Sequence, residues 1–221
     1  MSLYSFFFLE LWFYMTSFKL LLKSLLFCLI MILLIIVSYF YVDRNLATWI
    51  NQHVLANLFF NLSIKIPIVF YLFSGVSLVI LAFLSMVRPL KTWEKTLIVA
   101  AVSQYCAMGL KVGMKYFFGR YTPGVYFSEH LYGFNFFHDG MKYYSFPSGH
   151  TTAIISYLAV IWIRHNRMLK GLVAVLSCCV GISLIALNMH YLSDVLAAIM
   201  LGVMMAIFSN QLIFNQTKYF C

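Results

Sequence analysis

Charge is scarce in this sequence, and acidic charge most of all: Asp and Glu number 6 in 221 residues, and charged residues together make up 10%. With 63% of residues hydrophobic, that scarcity excludes an ordinary soluble domain, which could not hide so much apolar surface. Cysteine is sparse too. Cys28, Cys106, Cys178 and Cys179 fall in apolar stretches and Cys221 is the last residue. No pair has metal-ligand spacing and no disulfide framework is suggested, so they read as small packing residues. There is no internal repeat and no low-complexity tract, so an inverted-repeat transporter is not indicated. The first 23 residues lack a basic start and a small-residue cleavage site, and Glu10 interrupts their aromatic run. They read as an interfacial segment and not as a cleaved signal peptide.

What the chain does have is apolar runs, at roughly 24–41, 67–87, 96–114, 151–164, 171–189 and 195–214. A bilayer span needs ~20 mostly apolar residues, so the expected fold is all-α: a polytopic membrane protein of six transmembrane helices, forming one domain over residues 1–221. Residues 43–66, with Asn51, His53, Asn57 and Asn61, read as an amphipathic helix lying along the surface. Residues 116–146 form the longest polar, aromatic and glycine-rich stretch, and loops of that length are usually functional.

The net charge of +9 sits in short loops between apolar runs and not on a basic helix. It therefore sets topology and does not point to nucleic acid. Lys19, Lys23, Arg88, Lys91, Lys95, Arg164, Arg167, Lys170 and Lys218 all fall on one face, expected to be cytoplasmic. Lys115, Arg120 and Lys142 fall on the other, beside the long loop and the histidines. An integral membrane protein is expected, in a bacterial inner membrane, with its site facing outward.

The stretch "FPSGHTT" breaks the apolar pattern at the mouth of the fourth span. The chain from 151 to 189 makes one helix down and one back, so His150 and His190 emerge at the same membrane face. Asp194 follows His190 by four residues and can meet its ring on one helical face. A carboxylate on one ring nitrogen leaves the other free as base or nucleophile. Gly149 lets the backbone approach closely, Ser148 offers a hydroxyl, and the helix start favours an anion. Two histidines, a carboxylate and nearby cations are the parts of phosphoryl transfer. His190-x-x-x-Asp194 could also begin a metal site, but two further ligands at sensible spacing are not evident.

At these residues the sequence resembles the type 2 phosphatidic acid phosphatase (PAP2) family, similar in its core to glucose-6-phosphatase and the vanadium haloperoxidases. The family motifs are Lys-x6-Arg-Pro, Pro-Ser-Gly-His and Ser-Arg-x5-His-x3-Asp. The second is complete as Pro147-Ser148-Gly149-His150. The third appears in "SLIALNMHYLSD", with Ser183, His190 and Asp194 in register, and the first in "KYFFGRYTP", with Lys115 and Pro123 in register. The likeness covers roughly residues 65–214. Thr122 and Leu184 stand where the family has arginines, and neither supplies a guanidinium fork.

The resemblance implies a lipid phosphatase acting on a phosphomonoester or diphosphate without metal or cofactor. His190 would attack phosphorus, Asp194 would orient it, and His150 would protonate the leaving group and then activate water. Lys115, Arg120, Ser148 and Gly149 would hold the phosphoryl oxygens, with Arg120 replacing a missing arginine and Lys142 a weaker candidate. The alternatives are a lipid-to-lipid phosphotransferase, a non-catalytic lipid-phosphate binder, and a transporter or channel, for which Lys111 is the only deep ionisable residue. The aromatics of 125–144 read as an interfacial belt, among which His130, His138 and Asp139 could shape a headgroup pocket.

Overall fold

The structure, a computed structural model, describes the backbone of residues 3–216 and the side chains of residues 18–213. Glu10, Lys218 and Cys221 therefore lie outside the described side chains. Nine helices follow in order among the described residues: α1 Leu3–Val37, α2 Asp43–His53, α3 Leu58–Ser63, α4 Ile66–Val87, α5 Thr92–Phe118, α6 Pro123–Glu129, α7 Gly149–Arg164, α8 Arg167–Ala186 and α9 Leu192–Gln216. The protein is an all-helical, polytopic membrane protein. Five segments are long and apolar enough to cross a bilayer, namely Phe18–His53, Leu58–Val87, α5, α8 and Leu192–Ile213. The remaining expected span, 151–164, is α7, whose 16 residues rise only about 24 Å. It need not meet lipid: α4, α5, α8 and α9 pack around it.

The apolar core lies along α7, where Ile154, Tyr157, Leu158 and Val160 meet Val99 and Ala100 of α5, Val180 and Leu184 of α8, and Ala206 of α9. Polar groups inside this core are paired between helices. Gln104 on α5 accepts from Ser74 on α4 at 2.5 Å and donates to the Ala153 carbonyl on α7 at 2.8 Å. Ser103 donates to the Ser156 carbonyl at 2.9 Å. Such cross-helix hydrogen bonds and small residues are what hold helices together where lipid removes the hydrophobic drive. The same rule explains Gly202, where a Cβ would lie 2.7 Å from the Ile155 side chain.

The segment 43–66 differs from the sequence expectation. It does not form a surface helix; α1 continues through a π-turn, Ser38–Val42, directly into α2. The π-turn inserts a residue and turns Asp43, Ala47 and Ile50 inward, where all three are buried. The asparagines that suggested a surface helix instead make local bonds: Asn57 caps α3 by accepting from the Phe60 N–H at 3.0 Å. The backbone of the first residues likewise runs on into the first span as one helix, α1.

Candidate active site

α7 and α9 bring the two histidines together. His150 is the second residue of α7 and His190 precedes α9. Both line one cavity of about 320 Å³, with Gly149, Tyr71 and two lysines of α5, Lys111 and Lys115. The lysines are one turn apart, so both side chains leave the same face of α5. A Cβ added at Gly149 would stand 3.5 Å from Lys111 Nζ, so the ammonium group lies against the start of α7. Lys115 Nζ donates to the Tyr144 carbonyl. Among the described residues neither lysine forms a salt bridge. A second cavity of about 410 Å³ shares Lys111 and Lys115 and continues to Asp139 and Tyr144. The Tyr144 hydroxyl donates to Asp139; with the Gly140 N–H it holds that exposed carboxyl below its ordinary range.

Asp194 is fully buried behind His190. Its Oδ2 accepts from the Ser145 hydroxyl at 2.6 Å and the Tyr191 N–H at 2.8 Å, and lies 3.7 Å from His190 Nδ1. That separation is longer than a hydrogen bond, and among the described residues Nδ1 has no partner. Catalytic hydrogen bonds are often loose before substrate binds. With its Nδ1 side turned to the carboxylate, the ring leaves Nε2 for chemistry.

Ser148 is buried at the helix start. Its N–H donates to the Asp194 carbonyl at 3.2 Å and its hydroxyl accepts from Thr151 at 3.1 Å, so the side chain ties the turn together and does not line the cavity. Lys142 pairs with Glu129 at the exposed surface. His138 bonds the Phe136 carbonyl; neither it nor His130 lines either cavity. Leu184 is in the apolar core, and Thr122 precedes α6.

Arg120 lines neither cavity and is fully buried. Nη1 donates to Asp194 Oδ1 and Ser193 Oγ, each at 2.5 Å, and Nη2 donates to Asp43 Oδ2 at 2.6 Å. Its guanidinium lies 4.7 Å from the Tyr191 ring centre, 5.1 Å from Tyr39 and 5.3 Å from Phe134, distances at which aromatic faces attract a cation. Burial works against its charge, but the carboxylates of Asp194 and Asp43 outweigh it and raise the arginine above its ordinary value. The loop is built to deliver it. Gly119 ends α5 with φ +53, and a Cβ there would meet the Asn135 carbonyl at 1.8 Å. Arg120 is then bridged on both sides by Phe134 and Tyr144.

Two residues of this cluster were not placed in it by the sequence: Asp43, which looked like the first residue of a surface helix, and Lys111, read as a deep residue of a span. The lysine was findable, since it precedes Lys115 by one turn. Nothing local marked the aspartate.

An all-helical membrane scaffold that gathers these side chains at one end of its helices has the fold of the polytopic membrane phosphatases. The sequence pattern of the PAP2 superfamily matches residues 93–218; the chain belongs to that superfamily and is a PAP2-type membrane phosphatase. Comparison with curated protein sequences finds no match. Two crystal structures share the fold. A PAP2-type phosphatidylglycerolphosphate phosphatase from Bacillus subtilis aligns with TM-score 0.56 at 18% identity, over 88% of this chain and 96% of that one. Aquifex aeolicus LpxE aligns with TM-score 0.51 at 17% identity, over 79% and 98%.

Proposed function

We propose that the protein hydrolyses a membrane lipid phosphate through a phosphohistidine. The observation that carries this reading is that His150 and His190 line one cavity with two cationic side chains. His190 Nε2 attacks phosphorus, forming a P–N bond as the P–O bond to the lipid breaks, and His150 gives its proton to the departing oxygen. His150 then takes a proton from water, which attacks phosphorus. The P–N bond breaks, inorganic phosphate leaves and His190 is restored. Asp194 stabilises the cationic ring in between. No step needs a metal. The cavity lies between α4, α5 and α7, a position that suits a substrate entering from the bilayer. The basic segments 88–95 and 164–170 lie at the opposite helix ends and favour a cytoplasmic side there, which turns the cavity outward from the inner membrane of a bacterium.

The oxygens are held by Lys115, Lys111 and the Gly149 region at the start of α7, where helix dipole and free N–H groups favour an anion. Lys111 supplies a charge that Thr122 and Leu184 do not. Lys111→Ala lowers kcat/KM for phosphate release by about 10- to 100-fold, the loss of one hydrogen bond to a charged group, while Lys111→Arg retains most of it. Unchanged kcat/KM in the alanine variant dismisses the lysine.

The deciding experiment is phosphate release by purified protein from phosphatidic acid, phosphatidylglycerol phosphate, undecaprenyl diphosphate and a lipid A phosphate. At least one is turned over, equally with and without chelator. Phosphate loss only when a second lipid is present as acceptor identifies a phosphotransferase. Binding without turnover of any of them leaves a non-catalytic member, the reading motivated by Leu184, which stands in the apolar core where the family has an arginine.

A further inference from the structure

Asp43 stands outside the region that matches the superfamily, 93–218, and on a helix that contributes nothing to the histidine cavity. It is nonetheless buried as deeply as Asp194, with 1% of its surface exposed. The π-turn before it aims it inward, and such single π-turns recur at functional sites. Both of its oxygens are occupied. Oδ1 accepts from the Ser38 hydroxyl at 2.8 Å and the Ser193 N–H at 3.1 Å; Oδ2 accepts from Arg120 at 2.6 Å and the Ser193 hydroxyl at 2.5 Å. Four donors, one of them a guanidinium, thus converge on this carboxylate.

Arg120 is thereby divided. One guanidinium nitrogen serves Asp43 and the other serves Asp194. One cation shared between two carboxylates leaves an uncompensated negative charge behind His190. The other groups that share the cavity with that ring, namely His150 on α7 and Lys111 and Lys115 on α5, are neutral or positive. Both carboxylates held by Arg120, and with them the uncompensated charge, lie outside that cavity. That is where it helps, because the imidazole becomes cationic as it takes up phosphorus. Ser193 joins the pieces mechanically: its hydroxyl accepts from Arg120 and donates to Asp43, while its neighbour in the chain is Asp194. The Asn188 side chain donates to the Ala47 carbonyl at 3.2 Å, a second strut from α2 to the histidine turn.

With His190 as the nucleophile proposed above, we propose that Asp43 is a positioning residue of the reaction: it draws Arg120 away from full pairing with Asp194, so that Asp194 acts on His190 with its own charge. A merely structural tie between α2 and α9 would cost stability alone when cut. The electrostatic role instead predicts a split between kcat and KM.

The experiment is steady-state hydrolysis of dioctanoyl phosphatidic acid in detergent micelles by the full-length wild type, Asp43→Asn, Asp194→Asn and the double variant. Asp43→Asn, close in shape, lowers kcat by about tenfold or more, the factor that corresponds to one pKa unit of differential charge interaction, and leaves KM unchanged. In the Asp194→Asn background the same change has little further effect, because two residues acting on one group do not add. Asp43→Glu recovers part of the rate. If Asp43→Asn cannot be isolated folded, Ser193→Ala removes the hydroxyl between Asp43 and Arg120 and lowers kcat several-fold at constant KM. The inference is overturned by an unchanged kcat, by a change in KM alone, or by an equal loss in both backgrounds. Absence of wild-type turnover on this lipid and on the whole lipid panel is a different result. It removes the hydrolytic reading itself, and the positioning role with it.

Discussion

His190→Ala abolishes phosphate release. The loss is expected at about 10⁴-fold or more, the scale seen when a nucleophile is deleted from a set of groups that act as a unit. Alanine has no atom that can bond phosphorus. The remaining groups, His150 and the two lysines, can still bind the phosphate and polarise it, so KM changes far less than kcat. The variant should fold: among the described residues His190 Nδ1 lacks a hydrogen-bond partner, and the Asp194 carboxylate oxygen beside it is 3.7 Å away. An unaltered melting temperature is therefore part of the expectation. The measurement is phosphate release by the wild type and the variant, with acid-labile, base-stable phosphoprotein sought in the same samples after a rapid quench. Wild type carries the label and His190→Ala does not. Full activity in the variant sinks the phosphohistidine mechanism outright. Label that persists on the variant moves the nucleophile to another residue, with His150 the first to test.

The parts of the site that were legible in the sequence are those fixed by local geometry. Helix α7 begins at Gly149, within two residues of the expected span, because Pro147 cannot lie inside it, and His150 is carried to its mouth. The single basic turn between α7 and α8 returns the chain to the same end, so the meeting of His150 and His190 follows from two helix lengths. Asp194 follows from its spacing to His190. What escaped is what depends on distant chain. Asp43 meets Ser193 across 150 positions, and its own surroundings, "FYVDRNLATWINQH", carry enough polar residues to suggest a solvated helix. Arg120 was read as a phosphate ligand for the complementary reason. A guanidinium in a loop beside a phosphate motif has an obvious partner, whereas the rings of Tyr39 and Tyr191 that enclose it come from opposite ends of the sequence. The fourth span was located correctly but judged by the wrong standard: α4, α5, α8 and α9 pack around α7, so its length answers largely to its neighbours and not to the bilayer.

Arg120→Ala distinguishes the two roles that this arginine could have. If it clamped phosphate, its loss would raise KM and spare the fold. Its surroundings predict the reverse. Both carboxylates are fully buried on their side chains, 2.5–2.6 Å from the guanidinium, and alanine leaves them facing one another across Ser193 with no cation between. Breaking one buried pair by removing a partner costs about 3–5 kcal/mol, a large part of a typical stability of about 5–15 kcal/mol, and here one residue breaks two pairs. The expected result is a fall in melting temperature of roughly 10 °C or more for a chain of this size, with poor recovery from the membrane and loss of kcat in whatever remains. Arg120→Lys keeps the charge but has no fork with which to reach both carboxylates, so it stands between the two. Adding Asp43→Asn to Arg120→Ala removes one of the stranded charges and restores part of the melting temperature while leaving kcat low, since Asp194 stays unheld. A wild-type melting temperature in Arg120→Ala, together with a KM raised tenfold or more, would instead return this arginine to the phosphate and leave Asp43 without a partner to act through.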